Sequence, residues 1–166
     1  MSMIEVTDIS KTFKDTKALS HVSLKFRENT IYGLLGRNGA GKSTLLNLIN
    51  NRMFPDSGTI TLDGTALTEN TSALSRCFLA NETNLYPESM KVKEAFRWSR
   101  EFYPDFDMEQ AEKLSALFKL PVKKKIKSLS TGYRSIFRNI VALSVNVPFV
   151  FLDEPVLGLD AYHREL

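Results

Sequence analysis

Cysteine is nearly absent. Cys77 stands alone in 166 residues, so no internal disulfide can form. It lies in an apolar run, where a buried small side chain in a reducing cytosol is expected. Long apolar stretches are missing as well. None approaches the roughly 18 residues that cross a bilayer, so a membrane role would need a partner to supply the spanning part. The opening MSMIEVTDIS lacks the basic start and apolar core of a secretory leader. Charge is close to balanced, +3 from 22 basic and 19 acidic residues, which by itself argues for neither a nucleic-acid nor a membrane surface. The rest is ordinary for a globular protein: 43% hydrophobic, 25% charged, and long enough for one domain with a real core.

Against that background one stretch stands out. Residues 36–44, GRNGAGKST, fit the pattern of a phosphate-binding loop. Glycines at Gly36, Gly39 and Gly41 allow a tight bend and bring backbone N–H groups against phosphate oxygens. A helix should begin at once, because its N-terminus carries about half a positive charge. An apolar strand is expected before the loop, over residues 31–35. After it, Leu45, Leu46, Leu48 and Ile49 offer a helical face for burial. Lys42 is expected to reach the β- and γ-phosphates, and the Ser43 hydroxyl to coordinate Mg²⁺.

Residues 3–9 and 21–27 alternate apolar with polar and read as strands around a turn at Lys14, Asp15 and Thr16. They suit an antiparallel sheet over the nucleotide site. Phe13, just before the turn, could stack on adenine or close the edge of the core, and position alone leaves both open. Pro55, Asp56, Ser57 and Gly58 form a turn candidate before a short strand at 59–62. Residues 76–80 form another apolar run, followed by the polar link 81–84.

The pattern then becomes helical. Val92, Ala95, Phe96, Ser99, Phe102 and Tyr103 share one face, and Pro104 stops the helix. Asp107 with Gln110 resembles a capping box, and Met108, Ala111, Leu114 and Leu117 should line the next helix as core. The basic run at 123–127 reads as a solvated link rather than a phosphate or nucleic-acid contact. Ser130 or Thr131 could cap a third helix whose apolar face is Ile136, Phe137, Ile140 and Leu143. Residues 149–152, FVFL, read as a strand of a parallel sheet covered on both faces. It ends in Asp153 and Glu154. Ligands in open α/β sheets sit beyond the carboxyl ends of strands, so this pair is expected beside the phosphate loop. Asp153 would hold Mg²⁺ through water, and Glu154 would act as general base toward the attacking water.

This order of motifs resembles the ATPase subunits of ABC transporters over nearly the whole chain. The resemblance implies an α/β fold: a P-loop NTPase (RecA-like) core with an N-terminal antiparallel β subdomain and an inserted α-helical subdomain. The core would be 1–82 and 146–166, and the helical subdomain 83–145, within a single ABC ATPase domain. Phe13 occupies the place of the adenine-stacking aromatic. Residues 36–44, with Arg37 where Pro is common, match the first nucleotide motif and imply that Gly36, Asn38, Gly39, Ala40, Gly41, Lys42, Ser43 and Thr44 hold ATP. Residues 129–133, LSTGY, sit where LSGGQ is common. Ser130 and Gly132, which would contact a γ-phosphate across a dimer, are kept, whereas Thr131 and Tyr133 depart. Asn81 takes the place of a metal-sensing glutamine and can still offer a carbonyl to Mg²⁺. Gly158, Leu159 and Asp160 resemble the loop that crosses the dimer interface. Family members continue past the point reached at Leu166 and carry a switch histidine, which His163 is too near Glu154 to be. The chain is therefore expected to be C-terminally incomplete, with ATP binding and little turnover. The implied partners are transmembrane transporter subunits and a second, like or unlike, ATPase subunit. The implied place is the cytoplasmic face of the cell membrane, with export favoured by the altered signature. The alternative is a soluble ABC-type ATPase acting on nucleic acid or ribosomes. Those relatives carry large insertions that are not visible here, so no nucleic-acid partner is expected.

Overall fold

A computed structural model describes residues 2–83 and 85–159. Asn84 of the polar link, Asp160 of the crossing loop, and His163 lie outside the described residues. The chain divides into two compact units, one running to Leu79 and the other beginning at Ala80.

The first unit is built on a four-stranded antiparallel sheet in the order β2-β1-β3-β4. Its strands are β1 (Met3–Phe13), β2 (Thr16–Arg27), β3 (Ser57–Leu62) and β4 (Thr65–Ala66). Both strands of the opening hairpin run longer than their alternation suggests and meet at a two-residue turn, Lys14 and Asp15. The register places Ile4 opposite Leu62, and Val6 opposite Ile60. These residues and Ile9 are buried. Helix α1 (Lys42–Ile49) buries Leu45, Leu46, Leu48 and Ile49, the face its period calls for. A short α2 (Thr71–Leu74) is capped by Asn70.

Residues 31–35 do not form the strand expected of them. Ile31 and Leu35 are fully or almost fully exposed, at 101% and 93%. A strand needs a ladder partner along at least one edge. The sheet of this unit leaves the segment outside its ladder. Tyr32 is the residue that anchors it: the Arg27 N–H donates to its hydroxyl at 3.0 Å, and its ring meets Phe26 edge-on at 5.4 Å.

The unit boundary falls in β5 (Cys77–Ala80), which is buried throughout. The second unit holds α3 (Val92–Phe102), α4 (Met108–Leu117), α5 (Thr131–Ser144) and β6 (Phe149–Leu152), with a 3-10 turn at Ile126–Ser128. Its core is an aromatic chain: Tyr86 to Phe137 at 5.5 Å, Phe137 to Phe96 at 5.8 Å, and Phe96 to Phe106 at 6.3 Å. The segment carrying the lysine run is tied along its backbone to residues 90–93, through Ile126 N–H to Met90 O and Val92 N–H to Lys124 O. Lys123, Lys124, Lys125 and Lys127 remain exposed, as expected of a solvated link.

Three helical faces are narrower than their periods imply. Phe102 is 72% exposed, because Ser99 is the last buried position of α3 and the final turn overhangs it. On α4 the buried pair is Ala111 and Ser115, while Leu117, about 200° round the helix from Ser115, is exposed. On α5 Leu143 is exposed, with Val141, Ala142 and Ser144 buried around it. Asp107 caps α4 by accepting the Gln110 N–H at 2.8 Å. Gln110 does not return the bond; its amide donates to the Leu143 carbonyl at 2.7 Å. Strand β6 buries Phe149 but leaves Val150 and Leu152 exposed, so it is covered on one face and not on both.

Candidate nucleotide-binding site

The first unit carries the phosphate loop. Gly41 is the N-cap of α1 and has φ 85°, in the left-handed region. A Cβ there would lie 2.4 Å from the Ala18 carbonyl oxygen and 2.8 Å from Leu19 Cδ2. Only glycine lets the helix start this close to β2. No side chain caps α1, so its first-turn N–H groups have no side-chain acceptor, and a helix N-terminus of this kind favours anions. The Lys42 ammonium folds back and donates to the Gly36 and Arg37 carbonyls at 2.8 and 3.0 Å. The Ala40 N–H closes the loop onto the Arg37 carbonyl at 3.1 Å. Asn38, Gly39 and Ser43 are exposed, and Thr44 is half-buried on the first turn. The arrangement is a ring of backbone with a cation at its centre and a helix N-terminus beneath it, suited to an anion bearing several oxygens.

Phe13 ends β1 with 45% of its surface exposed, paired in register with Thr16. Ala18, where Gly41 backs onto β2, is two residues further along. Phe13 and the loop therefore share one end of the β1–β2 ribbon.

The second unit gathers the remaining candidates around α5. Ser130 is the N-cap, its hydroxyl accepting the Tyr133 N–H at 3.3 Å, so Ser130 and not Thr131 does the capping. Gly132 faces the backbone of Gly158, where an added Cβ would come within 2.7 Å of the carbonyl oxygen. A cavity of about 320 Å³ opens beside them, lined by Ser130, Gly132, Tyr133, Ile136 and Gly158. One turn on, the Ser135 hydroxyl donates to the Leu157 carbonyl at 2.7 Å, and the Asn139 amide to the Pro155 carbonyl at 2.8 Å. Arg138 donates to the Asn81 carbonyl and to the Ser135 hydroxyl. Burial holds its guanidinium below the ordinary value, and Glu82 opposes that fall. The Asp153 N–H donates to the Ala80 carbonyl at 2.9 Å, so Asn81 and Asp153 are neighbours. The side-chain oxygen of Asn81 accepts the Thr83 N–H at 3.1 Å. Glu154 is exposed and left-handed, at φ 51°.

A family model described as ABC transporter matches residues 19–157. The chain belongs to the ABC transporter family. Its loop and α5 region are thus parts of an ABC ATP-binding domain with a P-loop fold. It is 34% identical over 162 residues to the ABC transporter ATP-binding protein YtrB of Bacillus subtilis, covering 98% of this chain and 56% of YtrB. It is 33% identical over 168 residues to the ribose import ATP-binding protein RbsA of Cereibacter sphaeroides, covering 94% of this chain and 34% of RbsA. The solved structure of an ATP binding subunit of an ABC transporter superposes with a TM-score of 0.83 at 25% identity, covering 98% of this chain and 70% of that one. The chain thus spans about half the length of YtrB and a third of RbsA.

Two supports of the site escape the motif pattern. Lys11 and Asp56 hold the strand end at Phe13, and Arg138 joins Asn81 to α5. Lys11 lies two residues before Phe13 on the same strand face, which alternation alone reveals. Asp56 and Arg138 depend on long-range pairing that a linear motif does not carry.

Proposed function

We propose that this ABC ATP-binding domain binds Mg-ATP and hydrolyses it to drive a transporter whose membrane-spanning parts are separate polypeptides. The observation that carries the proposal is the Lys42 ammonium held on the loop carbonyls of Gly36 and Arg37 at the uncapped start of α1. Lys42 and the N–H groups of residues 36–44 take the phosphates, and Phe13 takes the base. Ser43, Asp153 and Asn81 offer hydroxyl, carboxylate and amide oxygens, a hard donor set that fits Mg²⁺. Among the described residues no three His, Cys, Asp or Glu side chains could hold a metal by themselves, so the ion would arrive with the phosphates. When bound, Mg²⁺ neutralises charge on the transferring phosphoryl oxygens. Glu154 orients the attacking water and accepts its proton on a carboxylate oxygen.

In this reading residues 1–82 and 146–166 form the core and 83–145 the inserted helical subdomain. A second ATPase subunit, identical or not, pairs head to tail, so that Ser130 and Gly132 serve the nucleotide of the partner. Membrane association is through transporter subunits at the cytoplasmic face; among the described residues no helix is long and apolar enough to cross a membrane. Export is the direction proposed, on the departures at Thr131 and Tyr133. Flux assays in vesicles with the membrane subunits test it.

The test of the central claim is calorimetric titration of Mg-ATP into the parent and Lys42→Ala, with circular dichroism on both. Parent binding that Lys42→Ala weakens about tenfold or more is the expected result. A folded parent that ignores ATP refutes it.

A further inference from the structure

Phe13 sits in a frame of charged contacts. The Lys11 ammonium donates to Asp56 Oδ1 at 2.8 Å, and the Thr12 N–H donates to Asp56 Oδ2 at 2.7 Å. The Asp56 N–H donates to the Ser10 carbonyl at 2.9 Å. One carboxylate therefore fixes both residues that precede Phe13. The same ammonium stands 5.7 Å from the centroid of the Phe13 ring. Only 19% of the Lys11 side chain is exposed, although lysine normally keeps its charge and its rotamer freedom in water. The Lys11 hydrogen bond, then that from Thr12, holds the Asp56 carboxyl below its ordinary value, so Asp56 is a carboxylate at neutral pH.

Surface ion pairs add little stability. What this one fixes is geometry at an exposed aromatic ring. Lys11 and Phe13, two residues apart on one strand, point to the same face. The strand end they occupy lies about 7 Å of strand from the point where Gly41 backs onto β2.

We infer that Lys11 and Asp56 are positioning residues for the nucleotide base: Asp56 holds Lys11, and Lys11 holds the Phe13 ring as a platform for a flat, electron-rich base such as adenine. The inference rests on the nucleotide-binding reading and adds a selectivity to it. A cation against an aromatic face is worth a few-fold in affinity when its loss frees the ring. The phosphates, held by Lys42 and the loop, should not sense it.

The experiment compares two ligands, Mg-ATP and Mg-tripolyphosphate, by calorimetry on the full-length protein. The variants are Lys11→Met, Lys11→Arg, Asp56→Asn and Phe13→Ala. Lys11→Met and Asp56→Asn are expected to weaken ATP roughly three- to fivefold and leave tripolyphosphate within about 1.5-fold of the parent. Lys11→Arg, which keeps a cation over the ring, should bind ATP like the parent, and Phe13→Ala should lose more than Lys11→Met. Should Lys11→Met unfold, the same selective loss in Asp56→Asn supports the inference and its absence overturns it. Parental ATP affinity in both variants, or equal loss of both ligands, overturns it as well. A parent that binds tripolyphosphate while Phe13→Ala keeps full ATP affinity removes the base platform alone. A parent that binds neither ligand refutes the phosphate loop and the inference with it.

Discussion

Gly41→Ala puts the packing of the phosphate loop to a quantitative test, with Gly39→Ala as its control. Both glycines are left-handed, at φ 85° and φ 81°. Alanine in that region costs about 1–2 kcal/mol, and the stiffer unfolded chain returns about 0.4–1 kcal/mol. At Gly39 nothing lies within 4 Å of an added Cβ, so that balance is the whole effect, a loss of about 1 kcal/mol. At Gly41 the Cβ would also meet the Ala18 carbonyl oxygen at 2.4 Å. Backbone of a paired strand cannot rotate away as a side chain does, so either α1 or β2 must shift. Overpacking of this kind adds about 1–3 kcal/mol. For a chain of this size the control should melt about 2–4 °C below the parent, and Gly41→Ala about 5–15 °C below it. Because the shift displaces the start of α1, Mg-ATP affinity should fall with Gly41→Ala beyond what Gly39→Ala shows. Thermal unfolding and calorimetry on the three proteins measure both effects. Equal melting points for the two variants would mean that φ alone sets the cost and that β2 does not back the loop.

Other outcomes follow from the same structure. Glu154→Gln in the full-length protein should bind Mg-ATP like the parent and hydrolyse it about 10²–10⁴-fold more slowly, as loss of a general base implies; near-normal turnover would remove Glu154 from that role. Burial pushes the Cys77 thiol up to about 11, so labelling by iodoacetamide at pH 8 should be slow in the native protein and fast in denaturant; rapid native labelling would place the thiol at the surface. The Met3 N–H and then Arg76 hold the Asp63 carboxyl below its ordinary value. Its stabilising contribution is therefore complete above the unfolded value near 4 and is lost as pH falls through the folded value. Asp63→Asn should flatten the acid edge of the stability profile below about pH 4, and an unchanged edge would show that Asp63 is not linked to folding.

The site was legible where its chemistry is local. A loop that must bend, expose N–H groups and start a helix writes its needs within nine adjacent residues, 36–44. The caps at Asp107 and Ser130 are equally local, each serving an N–H three residues on. The face of α1 could be read outright, since all four apolar residues that its period aligns are buried. Periodicity failed for Phe102, Leu117 and Leu143 because it gives the direction of a face but not how far its neighbours extend. It also undervalues polar residues that satisfy themselves. Ser115 is buried while Leu117, on the opposite side of α4, is exposed, because the Ser115 hydroxyl donates to the Ala111 carbonyl one turn back, at 2.7 Å. A helical serine bonded in this way carries no unpaired donor into the core and has the size of a small apolar residue. Ser99 repeats the arrangement with Ala95 and also meets the Tyr86 hydroxyl at 2.7 Å.

What stayed hidden depends on register. Asp56 reaches Lys11 across 45 positions, and Arg138 reaches Asn81 across 57. Neither pair can be chosen from the sequence, because each charged residue has many opposite or polar partners at equal linear cost. The antiparallel pairing of β1 with β3 sets Ser10 against Ser57 and so delivers Asp56 to the residues before Phe13. A slip of one residue would turn the alternating side chains of β3 to the other face, exposing Ile60 and Leu62. Burial of those two residues selects the register from Ile4 to Thr7, and the one-residue shift between Thr7 and Ser10, where Asp8 is left-handed at φ 55°, then sets Ser10 against Ser57. The apolar core and the bulge at Asp8 together determine the charge geometry at the exposed strand end.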